Sequence, residues 1–132
     1  MTLQRVNPPE LARPSGFSHV VIAPAGRTAY LAGQTALNAD GEIVGADIVD
    51  QFEQALGNLL AALRAVGGEP GNLTSMTVYI VDMTAYRARA RDIGAVWQRL
   101  VGRDYPAMAG IGVARLWDER ALVEVQGTAH LP

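Results

Sequence analysis

Cysteine is absent from the 132 residues. That removes disulfides, thiol nucleophiles and thiolate metal sites, and it fits a cytoplasmic chain. An excess of basic charge is also missing. The net charge is −2 at pH 7, which leaves no positive field to draw a phosphate backbone, so no nucleic-acid partner is expected. No stretch approaches the ~18 continuous apolar residues of a membrane span, so no membrane association is expected. The opening MTLQRVNPPELARPSG lacks the apolar run of a signal peptide. Internal repeats, linkers and low-complexity segments are lacking as well. The histidines are His19 and His130, at opposite ends of the chain. Without cysteine and without H-x-H or H-E-x-x-H spacing, no metal and no cofactor are expected. Ser15, Ser18 and Ser75 sit in no nucleophile elbow, and the glycines at 67–68 and 110–112 lack the context of a phosphate loop.

What is present reads as one globular domain over residues 1–132. Hydrophobic residues make up 49% and charged residues 18%, a balance that supports a real core. Residues 1–15 are proline-rich and read as an extended lead-in, of which 3–6 offers an edge strand. Residues 17–22 and 28–33 read as strands joined into a hairpin by the turn chemistry of Pro24-Ala25-Gly26. Asp47 is placed to cap a helix carrying Ile48, Phe52, Leu56, Leu59, Leu60, Leu63 and Val66 at helical spacing. Gly67-Gly68 closes it with a left-handed cap. Residues 73–81 form a strand that is apolar or amphipathic on both faces, so both faces are covered. Thr84 caps a second helix, roughly 85–101, with Tyr86, Ala90, Ile93, Trp97 and Leu100 inward and most of its arginines in solvent.

Two short extended runs follow, 110–114 and 121–126, linked by Leu116-Trp117-Asp118-Glu119-Arg120 as a turn. In the second run Ala121, Val123 and Val125 alternate with Leu122, Glu124 and Gln126. A carboxylate between two valines either lies on the wet face of an antiparallel strand or points into a site. In a site, desolvation would raise its pKa. The order is ββαβαββ, an α+β chain with one mixed sheet and two helices on one face. The other sheet face keeps Tyr79, Leu122 and parts of the first hairpin. Burying even one such side chain is worth about 1.5–3 kcal/mol, so the chain is expected to self-associate into a closed, symmetric oligomer.

Pro106-Ala107, Gly112-Val113-Ala114-Arg115-Leu116 and Val123-Glu124-Val125, preceded by Gly33-Gln34 and Asp82-Met83, resemble the signature of the RidA/YjgF family, which includes enamine and imine deaminases. The similarity runs from about Arg13 to Ala129. It implies a chorismate-mutase-like fold and a homotrimer with clefts between subunits, taking a small-molecule metabolite. In deaminating members a cleft arginine grips the substrate carboxylate and a glutamate positions the attacking water. Glu124 matches the glutamate and is the candidate acid/base. The arginine of the family's Pro-Ala-Arg is Met108 here, which cannot pair with a carboxylate. Phe17 stands for the usual tyrosine, Ala32 for the serine of Ser-Gly-Gln, and Gly110 for a small, often polar residue. Arg91 falls where an asparagine is usual and is either a replacement cation or a solvated helix-face residue. Asn58 reads as structural. His19 is a candidate donor at the cleft mouth. The expected function is a divergent enzyme acting on a small imine, enamine or related metabolite by water addition or proton transfer. The alternatives are a non-catalytic trimeric binding module, or a 2-iminobutanoate/2-iminopropanoate deaminase in which Arg91 substitutes for the arginine.

Overall fold

The computed structural model describes residues 2–132. In chain order the elements are β1 (Gln4–Val6), β2 (Val20–Ile22), β3 (Arg27–Gln34), α1 (Ile48–Ala65), β4 (Leu73–Ile80), α2 (Met83–Ala88), α3 (Ala90–Leu100), β5 (Ala107–Gly112) and β6 (Val123–Leu131). A short 3-10 turn, Pro70–Asn72, leads into β4. β3, β6, β4 and β5 form a four-stranded sheet in that order. β6 runs antiparallel to both neighbours, and β5 is parallel to β4.

The apolar stripe of α1 decides which sheet face is covered. Ile48, Phe52, Leu56, Leu59, Leu60 and Leu63 are all buried. At roughly 1.5–3 kcal/mol for each large apolar side chain removed from water, the stripe outweighs propensity differences of at most about 0.7 kcal/mol per residue. It packs on Met76, Val78 and Ile80 of β4 and on Val123, Val125 and Ala129 of β6, with Ile93, Val96 and Trp97 of α3 beside it. Asp47 caps α1 as expected, its Oδ1 accepting from the Asp50 N–H at 2.9 Å. That bond, together with Arg89, holds the Asp47 carboxyl below its ordinary pKa. Gly67 ends α1 at φ +84°. Gly68 N–H donates to the Leu63 carbonyl and Gly67 N–H to the Arg64 carbonyl, the paired bonds of a Schellman motif.

Several local expectations are corrected. The hairpin of 17–22 with 28–33 does not form: β2 pairs with β1 and β3 with β6. The lead-in and the start of β5 take the hydrogen bonds instead. His19 N–H donates to Asn7 Oδ1 at 2.7 Å, and Ser18 N–H donates to the Pro106 carbonyl at 3.0 Å. The small β1–β2 ribbon is therefore a second sheet, and the edge strand offered by 3–6 lies in it. The cap of the second helix is Asp82, whose Oδ1 accepts from Ala85 N–H at 3.0 Å, rather than Thr84. That helix is broken at Arg89, which sits at φ −109°, ψ 21°. Its guanidinium reaches Asp92 Oδ2 at 2.7 Å and Asp47 Oδ2 at 3.3 Å, so Arg89 ties the helices together while its side chain stays partly in solvent. Leu122 lies outside the helix-free face. It packs against the core, and its N–H donates to Gln51 Oε1 at 2.8 Å. The last two strands are shifted from their expected bounds: β5 starts earlier and β6 runs longer. Gly127 permits the extension, because a Cβ there would crowd the Ser75 carbonyl across the β4–β6 pair.

Candidate functional site

Val123 and Val125 are 0% exposed on the helix side, so Glu124 between them points to the helix-free face. It is half-buried and stands directly opposite Tyr79 in the β4–β6 register. Its carboxylate lies over Gly33, where an added methyl group would overlap Glu124 Oε2. β3 is irregular at this point, its pairing with β6 shifting between Leu31 and Gln34. Such bulges lift backbone out of the ladder beside functional sites, and here the irregularity carries Ala32 and Gly33. Ala32 also lines a shallow depression of 370 Å³ with Tyr30, Ser75, Thr77, Gln126 and Thr128. Among the described residues Glu124 has no hydrogen-bond or ion-pair partner.

The other expected site residues gather at the opposite edge of the sheet. Met108 is in register with Met76, and Gly110 with Val78, so both lie on the helix side of β5. Met108 and Arg91 line one cavity of 570 Å³, together with Ser15, Gly16, Tyr86, Trp97 and Tyr105 among others. Phe17 follows Gly16 directly. Its ring meets that of His19 edge-on at 5.0 Å. His19 Nε2–H donates to the Ala12 carbonyl at 2.7 Å, which commits it to the lead-in. Trp97 and Tyr105 stack at 5.7 Å with an interplanar angle of 14°. Burial raises the pKa of Tyr86, so its hydroxyl is neutral at physiological pH. Arg91 is exposed and makes no ion pair among the described residues, whereas Arg89, Arg99 and Arg120 are paired. Asn58 Nδ2 donates to the Thr35 and Leu37 carbonyls at 3.1 and 2.8 Å. That use is structural, pinning the loop after β3 to α1.

The candidate residues therefore fall into two groups within one chain. Ala32, Gly33 and Glu124 lie on the helix-free face toward the β3 edge; Phe17, Arg91, Met108 and Gly110 lie at the β5 edge. Two strand spacings of about 4.8 Å separate β6, which carries Glu124, from β5, roughly 10 Å, and three separate β3 from β5, roughly 14 Å. The two groups do not meet within the chain. Helical spacing reads Trp97 only as core and gives no sign that its stack with Tyr105 walls a cavity. Gly33 is visible in the sequence as half of a motif, but its role as the seat of Glu124 depends on a strand distant in sequence. Among the described residues no group of three or more His, Asp or Glu side chains is arranged to hold a metal, and no helix is long and apolar enough to cross a membrane.

Comparisons with known proteins bear on the family and the fold. The family described as Endoribonuclease L-PSP matches residues 9–131. A RutC family protein of Pyrococcus horikoshii is 33% identical over 107 residues, covering 80% of this chain and 81% of that protein. The 2-iminobutanoate/2-iminopropanoate deaminase of Capra hircus is 30% identical over 104 residues, covering 78% and 72% respectively. Among solved structures, YyfB of Yersinia pestis, a Rid-family protein of unknown function, matches with a TM-score of 0.89 and 36% identity over 99% of this chain and 100% of that one. The chain belongs to the RidA/YjgF family, and its mixed sheet with helices on one face is the fold of that family.

Proposed function

We propose that this chain is a divergent enzyme of its family, acting on a small imine, enamine or related metabolite by water addition or proton transfer. Glu124 is the acid/base, and the cleft lies between subunits of a homotrimer. The observation that carries the reading is the Glu124 carboxylate itself. It is half-buried on the helix-free face, seated on Gly33, and unpaired among the described residues. A carboxylate in that setting is costly unless water or a donor reaches it, and a cleft supplies both. The separation of the two groups supports an assembly in which the β5 edge of one copy faces Glu124 of the next. Contact between unlike surfaces is not a twofold pair and gives a ring where its rotation closes. Tyr30, 83% exposed on the same face, supports burial there by another copy. The eleven basic residues are all arginine, so no lysine Schiff base can form. The net charge of −2 favours a small metabolite over a nucleic acid as partner.

The deaminase activity of the Capra hircus relative is not carried over to small 2-imino acids, because Met108 offers a substrate carboxylate no cation. An arginine–carboxylate contact of about 1.5–3 kcal/mol corresponds to roughly tenfold to a hundredfold in binding. In a coupled assay that generates 2-iminobutanoate in situ, the native protein is expected to add little to the spontaneous rate. Met108→Arg is expected to raise hydrolysis by at least about tenfold. A native rate matching that of an arginine-bearing relative would instead assign the carboxylate to Arg91, which lines the same cavity.

A further inference from the structure

The cavity of 570 Å³ at the β5 edge is walled by residues of one chain alone. It lies on the helix side of the sheet, away from Glu124. Its size falls within the about 300–1,000 Å³ typical of small-molecule sites. One wall is aromatic and fixed: buried Trp97 backs the half-buried Tyr105, and the two rings are nearly parallel. Met108 lines the same space. An open ring and a thioether both favour contact with a flat aromatic group. Gly94 of α3 leaves room beside them. A Cβ there would meet nothing within 4 Å, so no neighbour requires glycine at this position. Glycine inside a helix lowers its stability, and the space it leaves belongs to the cavity it lines.

The charge of the cavity has one sign. Among the described residues that line it, Arg91 alone is charged. Arg91 makes no ion pair among the described residues, because Arg89 takes the neighbouring Asp92. Tyr86 adds a hydroxyl that burial keeps neutral, so it donates as well. Both groups suit an anion. We propose that this cavity binds a planar aromatic acid, with the ring packed on Tyr105 and Met108 in the space beside Gly94 and the carboxylate meeting Arg91. The site needs neither Glu124 nor a second copy of the chain. An exposed cation alone holds a carboxylate weakly in water, and burial of the ring supplies what Arg91 does not. Small 2-imino acids lack that ring, so binding of an aromatic acid is compatible with the low 2-iminobutanoate turnover expected above.

The test is isothermal titration calorimetry on the native protein with indole-3-acetate, and with indole-3-acetamide as its uncharged counterpart. The acid is expected to bind with a dissociation constant below about 1 mM, and at least about threefold tighter than the amide. Gly94→Leu fills the space. It is expected to weaken the acid by at least about tenfold, with a thermal midpoint equal to or above the native one. Arg91→Ala changes an exposed position and is expected to abolish the preference for the acid while the amide binds as before. No binding of the acid, equal binding of acid and amide, or undiminished binding by a folded Gly94→Leu protein would overturn the assignment. If Gly94→Leu does not fold, the Arg91→Ala comparison decides: a preference for the acid that survives the loss of Arg91 overturns the assignment, and its disappearance supports it.

Discussion

Gly33→Ala is expected to lower turnover by about a hundredfold or more while leaving the fold and its thermal midpoint nearly unchanged. Misplacing a reacting group by about 1 Å is enough for a loss of that order. The backbone at Gly33 is not in the left-handed region, so alanine is compatible with the local conformation. The position is exposed, and the conflict is confined to one neighbour, since the added methyl would occupy the place of Glu124 Oε2. The carboxylate must swing away from the seat that β3 provides. Circular dichroism through thermal unfolding separates the two effects, and turnover is measured on the same samples. Retention of native turnover in a folded Gly33→Ala protein would show that the position of the carboxylate over Gly33 has no part in the chemistry.

Some of this is open to reading in one dimension. The Asp47 cap of α1, its Gly67-Gly68 stop and its stripe from Ile48 to Leu63 are local patterns found where spacing puts them, whereas Val66, expected in the stripe, is the C-cap residue and is 51% exposed. The alternation Val123-Glu124-Val125 likewise turns one carboxylate away from the core. What local rules miss is decided by residues far along the chain. Leu122 is drawn to the helix side by Gln51, which also donates to the Arg120 carbonyl at 3.2 Å. The second helix breaks at Arg89, whose side chain bridges Asp47 and Asp92. β2 leaves its expected partner because His19 and Ser18 find other acceptors. Thr84 and Asp82 are both competent caps by residue type, and only the backbone course shows which one meets the helix. For the candidate site, the sequence offers the residues, while their distribution over separate strands requires the strand order β3, β6, β4, β5.

The shared-cleft enzyme reading depends on Glu124 doing chemistry rather than supporting the assembly. Glu124→Gln keeps the size of the side chain and one acceptor oxygen, and removes its charge and its proton-transfer capacity. A positioned acid/base contributes about 10²–10⁴-fold to rate, whereas a glutamine in the same seat can still occupy the space over Gly33. The decisive measurement sets native protein beside Glu124→Gln, following the hydrolysis of a panel of small imines and enamines generated in situ and the assembly mass by light scattering. The expected result is that the native protein accelerates at least one compound, that Glu124→Gln loses at least about a hundredfold of that rate, and that both have the same mass. An assembly that falls apart on substitution while turnover per folded chain is unchanged, or a native protein that accelerates none of the panel, would contradict the account and leave a binding module in place of the enzyme.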